Sequence, residues 1–205
     1  MKILSICILC ILIASPLFAG EIAVTSTYNI YQSEKLEAAP GLKLSGGADH
    51  LYVWGSYENT LLRFGGQESV DINLYGAGLG FRGRMEAVTL FMEIGYYYPR
   101  YNVSPLFSIE SASYAFFESI GLHSPFAHHL YDLSGGFGGQ LGIEISHKLT
   151  DFISVSGVVA YRALTLKETI YAHNGSMVYA DSHWEIFTER DFSAWQVGLT
   201  FVWRF

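Results

Sequence analysis

The sequence predicts an all-β fold, an antiparallel transmembrane β-barrel of eight strands, and three observations favour it. The first is the closing segment, residues 195–205, which alternates strictly between two kinds of side chain. One of its faces is wholly apolar: Trp195, Val197, Leu199, Phe201, Trp203 and Phe205. The second is composition, because 50% of the residues are hydrophobic, yet after the N-terminal segment no run is long enough for a membrane-spanning helix. The third is an export signal.

The N-terminal residues 1–19 are typical of a secretory signal peptide. Lys2 precedes an apolar run over residues 3–13, and small residues follow up to Ala19, after which we expect cleavage. The mature barrel domain is then residues 20–205. Both cysteines leave with the signal, so we expect no disulfide, thiolate metal site or thiol nucleophile. Removal of Lys2 makes the net charge of −7 more negative by one, which argues against nucleic acid as a partner.

Alternating segments predict each strand in chain order, because an apolar face lies opposite a small or polar face. The predicted strands are residues 22–31, 39–45, 49–58, 70–82, 88–98, 137–148, 152–166 and 192–205. Pro40 weakens the second strand, since proline cannot donate a ladder hydrogen bond. Gly76, Gly78 and Gly80 of the fourth strand face inward and leave room for neighbouring side chains in a narrow lumen. The three tyrosines at 96–98 are expected in the aromatic girdle at the membrane interface.

The connections between these strands are of two kinds. Short turns are predicted at residues 46–48, 83–86 and 149–151, and two long loops at residues 100–136 and 171–190. In outer-membrane barrels the short turns face the periplasm and the long loops are extracellular, so the chain terminus is expected on the periplasmic side. Ten strands remain an alternative if the first long loop contains a hairpin.

Several of these features resemble the small bacterial outer-membrane-protein β-barrel family, which includes the OmpA transmembrane domain and OmpX. They are the signal peptide, the alternating glycine and aromatic strands, the segment Leu-Gly-Ile-Glu144 and the terminal Val-Trp-Arg-Phe205. The resemblance covers the mature chain, although Pro40 departs from it. It implies a multi-pass protein of the Gram-negative outer membrane, in contact with membrane lipid and lipopolysaccharide. It also implies that barrel-assembly machinery binds the C-terminal strand, with Phe201, Trp203 and Phe205 as the assembly signal.

Charged side chains on the inward faces are the candidate site residues. The alternation places five of them inside: Arg82, Glu93, Glu144, Arg162 and Arg204. Lys43 is a sixth candidate. Because an unpaired charge in so confined a space would be costly, we interpret these groups as a lumenal network that holds a side-chain-filled barrel together. The alternative makes Glu93 and Glu144 part of a narrow, gated, porin-like channel for small solutes.

Metal binding and catalysis are not favoured by the sequence. Five histidines fall in the predicted long loops: His123, His128, His129, His173 and His183. A metal site would require several of them to converge with a carboxylate such as Asp181 or Glu185, and their spacing matches no known site. No histidine stands two residues before a serine, as in outer-membrane acyl hydrolases. We therefore predict no metal, cofactor or catalytic residue, with an enzyme site around Asp181 and His183 as an alternative.

The function predicted from these observations is a structural or surface-interaction role of the adhesin type, without catalysis. The aromatic segment at residues 114–120 is more apolar than a solvated loop requires. We expect such loops either to cap the barrel or to bind a host or surface ligand. The alternatives are the narrow channel, the loop-site enzyme and a secreted soluble β-sandwich.

Overall fold

The computed structural model describes residues 20–48, 50–63, 69–101, 127–174 and 183–205. These ranges contain ten antiparallel strand segments: β1 (Glu21–Tyr31), β2 (Ala39–Gly47), β3 (Leu51–Arg63), β4 (Ser69–Met85), β5 (Val88–Tyr101), β6 (Ala127–Leu133), β7 (Gly136–Lys148), β8 (Ile153–Asn174), β9 (His183–Asp191) and β10 (Ala194–Arg204). In the same ranges, no helix has the length and apolar character needed to cross a membrane.

The strands close on themselves into a wall of eight positions. β1 pairs with β2 on one side and with β10 on the other, and the neighbours continue through β3, β4, β5, β7 and β8 back to β10. Among the described strands, β6 and β9 pair only with β8. The predicted eight-stranded antiparallel barrel is therefore confirmed. The ten-strand alternative is wrong, because the two additional segments lie along the distal part of β8 and outside the closed wall.

The stagger of the wall follows from its register. Backbone partners traced once around the barrel from Tyr31 return to β1 at Glu21, ten residues earlier. With a rise of about 3.3 Å per residue and about 4.8 Å between strands, this stagger tilts the strands by about 40° from the barrel axis. Eight strands at such a tilt enclose an interior that is just wide enough for side chains to fill.

The outer face is an apolar band with aromatic residues at both ends. On β10, the outward residues from Trp195 to Phe205 are 49% to 63% exposed. Aromatic residues also face outward at both ends of the wall. At the end that carries the longer connections, which we call the loop end, they include Tyr28, Tyr96, Tyr98 and Phe137. At the end that carries the short turns, which we call the turn end, they include Phe81, Phe152 and Trp203. Aliphatic residues such as Leu79, Ile143 and Leu199 lie between the two groups. This distribution, on a closed barrel, is that of a transmembrane barrel of the bacterial outer membrane.

The predicted long loops are wrong at their edges, because strands extend into them. β8 continues to Asn174 and β9 begins at His183, so much of the segment at 171–190 is strand. Similarly, β5 continues to Tyr101, and β6 lies within the segment at 100–136. We call β6, β9 and residues 165–174 of β8 the surface ribbon. Polar and histidine-bearing strands of this kind lack the apolar alternation on which the sequence interpretation depended.

Three local predictions also differ from the structure. β4 reaches Met85, and the turn consists of Glu86 and Ala87, where Glu86 has a φ of 52°. Tyr97 is only 2% exposed and lies inside the barrel, since it alternates with its two outward neighbours. Pro40 fits within β2 because it lies at the end where β2 pairs with β1 alone, before pairing with β3 begins at Gly41.

Inward glycines make room for aromatic rings from the neighbouring strands. A Cβ atom added to Gly80 would overlap the ring of Tyr52, and one added to Gly142 would overlap the ring of Phe91. These glycines are therefore required by space, since the ring of the direct backbone partner on the neighbouring strand fills each position. Gly157 offers a contrast, because an added Cβ would have no heavy atom within 4 Å.

We predict that Gly80→Ala and Gly142→Ala each lower the free energy of unfolding by about 1 to 3 kcal/mol, because the new methyl group displaces a packed ring. Urea unfolding of the folded barrel in lipid vesicles measures the effect. Gly157→Ala is the matched control and is expected to leave the midpoint unchanged. Equal midpoints for all three variants would contradict the packing argument.

Candidate functional site

The interior at the turn end is organised around one carboxylate. Glu21, the first residue of β1, contacts Arg82 and Arg84 of β4 on the facing wall. Its Oε2 atom also lies 3.4 Å from Nε of Arg204, the residue opposite it on β10. Because β1 and β10 are the first and last strands of the wall, Glu21 joins the seam of the barrel to its opposite side. Glu21 is 3% exposed, so these charges act in a poorly solvated place.

The middle of the interior holds a second ion pair. Lys43 Nζ of β2 lies 2.7 Å from Glu93 Oε1 of β5, and the Tyr52 hydroxyl donates a hydrogen bond of 2.8 Å to the same oxygen. The Lys43 ammonium also lies 5.0 Å from the centre of the Phe91 ring. Glu144 projects into this region and interacts electrostatically with Lys43 and with an arginine of the turn-end group. These contacts cross the lumen and tie strands that are not neighbours in the wall.

A third ion pair lies towards the loop end. Both terminal nitrogens of Arg162 donate to the two oxygens of Glu58, each over 2.8 Å, which is the bidentate arrangement. The Tyr31 hydroxyl donates to Glu58 Oε1 over 2.7 Å, and Arg162 also donates to the carbonyl oxygen of Phe192 over 3.1 Å. The guanidinium lies 5.7 Å from the Tyr31 ring centre and 5.4 Å from that of Tyr97. Arg162 is thus held on several sides.

Above this pair the interior is apolar. A cluster that we call the apolar plug fills the mouth: Leu36, Leu62, Val70, Ile72, Leu74, Leu133, Leu164, Leu166 and Phe192. Leu36 comes from the connection between β1 and β2 and forms a bridge with Leu62. Beyond the plug, Arg190 binds Glu168 through both carboxylate oxygens at 2.6 Å, and the Thr188 hydroxyl donates to Glu168 over 2.7 Å. The predicted charge network therefore fills only part of the lumen, and the plug fills the mouth.

The sequence-predicted charges all occupy inward positions, but the structure groups them separately. Arg82 and Arg204 meet at Glu21, whereas Glu93 pairs with Lys43 and Arg162 with Glu58. The sequence interpretation missed both Glu21 and Glu58, which are the carboxylates that three of these cations contact. The alternation of the strands predicts that Glu21 and Glu58 face inward. Which cation each one meets across the lumen depends on the stagger of the wall, and the stagger cannot be read from the sequence.

Two small cavities lie between these groups. One cavity of about 20 Å³ borders Glu58, Gln140 and Arg162, and another of about 10 Å³ borders Tyr52 and Glu93. A cavity of that size holds about one water molecule. Side chains of the ion-pair layers line both of these cavities.

The loop residues singled out by the sequence are only partly placed. The aromatic segment 114–120, His123 and Asp181 lie outside the described residues, whereas His128 and His129 belong to β6, His173 to β8 and His183 to β9. Among the side chains that the structure describes, no group of three or more His, Cys, Asp or Glu residues could hold a metal ion.

Comparisons with known proteins concern the fold. No protein-family model matches the chain, and no curated protein shows significant sequence similarity to it. Neisserial surface protein A is 11% identical, with a TM-score of 0.47 over 90% of this chain and 95% of that one. The outer-membrane protein Ail of Yersinia pestis is 14% identical, with a TM-score of 0.41 over 91% and 99%. The outer-membrane protein AlkL is 10% identical, with a TM-score of 0.47 over 92% of both chains.

We predict that Arg162→Met lowers the free energy of unfolding by about 3 to 5 kcal/mol, because it leaves the Glu58 carboxylate buried without a counter-charge. The double variant Glu58→Leu with Arg162→Met should recover part of this loss. Urea unfolding in vesicles measures both effects. If the single variant matched the parent protein, the bidentate pair would have no structural role.

The matched control is the exposed pair of Lys148 with Asp151, whose atoms are 2.7 Å apart in the turn between β7 and β8. The hydrogen bond and charge of Lys148 hold the pKa of the Asp151 carboxyl below its usual value. Because solvent screens such a pair, Lys148→Met is expected to leave the unfolding midpoint unchanged.

Proposed function

We propose that this protein is a non-conducting outer-membrane barrel that anchors the surface ribbon and presents it for binding at the cell surface. The observation that carries the proposal is the filled interior. Three ion-pair layers and the apolar plug occupy the lumen from the turn end to the loop end, and the described cavities hold about one water molecule each. A barrel of this kind provides a rigid membrane anchor and no passage.

The surface ribbon is the part of the described chain that extends beyond the closed wall. β8 has 22 residues, and its distal part pairs with β6 and β9 instead of β7 and β10. Among the described strands, the outer edges of β6 and β9 have no partner. Unpaired edges carry free backbone donors and acceptors, which are a common means of binding an extended segment of another protein.

The base of the ribbon is well supported. Glu168 is 2% exposed and binds both Arg190 and Thr188, which connects β8 to β9 just above the plug. The backbone N–H of Ser134 donates to the carbonyl oxygen of Lys167 over 2.9 Å, which connects β8 to the segment after β6. A ribbon fixed in this way presents its edges in a defined direction, and this lowers the ordering cost of binding.

Several partner assignments belong to the same proposal. The short turns, together with the start of β1 and the end of β10, would face the periplasm, so that the ribbon is extracellular. On the outer wall, Asn73 accepts hydrogen bonds from Tyr57 over 2.8 Å and from Asn59 over 3.1 Å, near the aromatic residues of the loop end. This polar group would face the headgroups of membrane lipid and lipopolysaccharide. Phe201, Trp203 and Phe205 would contact the assembly machinery before the barrel closes.

The second candidate is a narrow, gated channel, and one observation favours it. Oε2 of Glu93 is buried and has no hydrogen-bond partner among the described residues. Glu93 also lines the cavity of about 10 Å³. A chain of water molecules past Glu93 and Glu144 would require the plug to move as well. We therefore favour the closed barrel, and we assign catalysis to none of the paired interior residues.

We expect the purified barrel to show no discrete conductance steps in a planar lipid bilayer, because opening a path requires the breaking of buried ion pairs that cost several kcal/mol each. A porin inserted under the same conditions shows that steps are detectable. Reproducible steps from the parent protein would refute the closed lumen and support the channel.

Display of the ribbon is tested separately, by adhesion of bacteria that express the protein to cultured epithelial cells. The variant replaces residues 170–186 with an Asn-Gly turn, which shortens the ribbon and leaves the barrel wall complete. We expect adhesion by the parent strain to exceed that of the variant strain. Equal adhesion at equal amounts of folded protein would contradict the display role.

A further inference from the structure

The outer wall carries a group of polar side chains at the loop end, on one side of the barrel. Asp71 lies there on β4, together with two rows of backbone partners on β3, β4 and β5, which are Tyr57–Tyr75–Tyr98 and Asn59–Asn73–Arg100. We call these seven residues the polar patch. On the opposite side of the barrel, β1 and β10 present Ile30 and Trp195 to the outside at this end. The polar patch therefore interrupts a wall that is otherwise apolar at this level.

The polar patch has the dimensions of a small headgroup and is partly preformed. Partners in an antiparallel sheet have Cβ atoms about 5 Å apart, and the two rows are about 7 Å apart along each strand, so they cover about 10 Å by 7 Å. The Tyr57 and Tyr75 rings lie with their centres 5.3 Å apart, and the Tyr57 hydroxyl donates to Asn73. Asn73 is only 8% exposed. The centre of the patch is thus ordered before any ligand binds.

Two opposite charges lie side by side in the polar patch. Arg100 is the backbone partner of Asn73, and Asp71 is the diagonal neighbour of Arg100, at a typical distance of about 7 to 8 Å. Both side chains are exposed, and among the described residues neither has an ion-pair partner. The hydroxyls of Tyr75 and Tyr98 add neutral donors on the next row. This arrangement is complementary to a molecule that carries a negative and a positive group close together.

The apolar band beside the polar patch indicates that this molecule is a lipid. Towards the turn end, Leu79 of β4 and its backbone partner Ile94 of β5 are 46% and 54% exposed on the same face. Leu79 is four residues from Tyr75, which is about 13 Å along the strand. A lipid whose acyl chains cover Leu79 and Ile94 therefore has its headgroup at the level of the patch. A free ion would gain nothing from the apolar band.

We propose that the polar patch binds the headgroup of a lipid that carries both a phosphate and a primary amine. Arg100 donates to the phosphate oxygens, because a guanidinium matches the geometry of phosphate. Asp71 accepts from the ammonium group, and the hydroxyls of Tyr75 and Tyr98 supply further hydrogen bonds. The inference rests on the proposed placement of the loop end at the membrane surface, and it gives the lipid contact proposed there a specific headgroup chemistry.

The test is native mass spectrometry of the mature chain, folded in a neutral maltoside detergent and titrated with phosphatidylethanolamine. Phosphatidylglycerol with the same acyl chains carries a phosphate and no amine. We expect the parent to bind phosphatidylethanolamine more tightly, and an equal concentration of inorganic phosphate not to compete. Arg100→Gln should weaken binding of both lipids by about threefold to tenfold. Asp71→Asn should remove the preference for phosphatidylethanolamine.

Arg63→Gln is the matched control. The Arg63 side chain lies at the loop end of β3, is 65% exposed and contacts Glu37, so the variant removes a surface charge outside the polar patch. It should bind both lipids as the parent does, and gel mobility before and after boiling checks that each variant is folded.

The proposal is overturned if the parent shows no preference for phosphatidylethanolamine, if inorganic phosphate displaces the lipid, or if Arg100→Gln binds as the parent does. It is also overturned if Arg63→Gln weakens binding as much as Arg100→Gln, because binding would then follow surface charge alone. None of these measurements involves adhesion or conductance, so the headgroup site and the display role can fail independently.

Discussion

The stagger of the wall is the constraint on which the rest of the structure depends. Eight strands displaced by ten residues around the barrel enclose a space that is close to the size of the side chains themselves. Every inward residue must therefore fit with the residues opposite. Aromatic rings lie over glycines, and Lys43 and Arg162 each reach a counter-charge on another strand. Closure of the wall and packing of the interior are thus the same physical requirement.

The interior changes character along the barrel axis. Towards the turn end it is polar and tied together by charge, whereas towards the loop end the plug is held by burial of apolar surface. The two halves place different demands on their residues. An ion pair in a confined space requires a precisely placed partner, whereas apolar packing requires side chains of the right volume. The Arg162–Glu58 pair lies where these regimes meet, next to the rings of Tyr31 and Tyr97.

Much of this fold could be predicted from the sequence, because a strand in a lipid-facing barrel alternates on every residue. The outward face of β10 and the inward positions of Arg82, Glu93 and Arg162 follow from that alternation. The partners of those charges could not be predicted, since Glu58 and Glu21 meet them only through the stagger. The part of β8 beyond Leu166 was also missed, because residues 167–174 carry no apolar alternation.

The length of β8 also has a mechanical consequence. This single strand forms the centre of the ribbon and then continues into the wall, where it pairs with β7 from Ser154 to Leu164 and with β10 from Ile153 to Arg162. A force applied to the ribbon along β8 therefore acts parallel to the strands of the wall. It shears the hydrogen bonds of both pairings at the same time, so that they resist together and are not broken one after another. A cell held by the ribbon would transmit tension directly into the barrel, and the membrane anchor would bear the force as one unit.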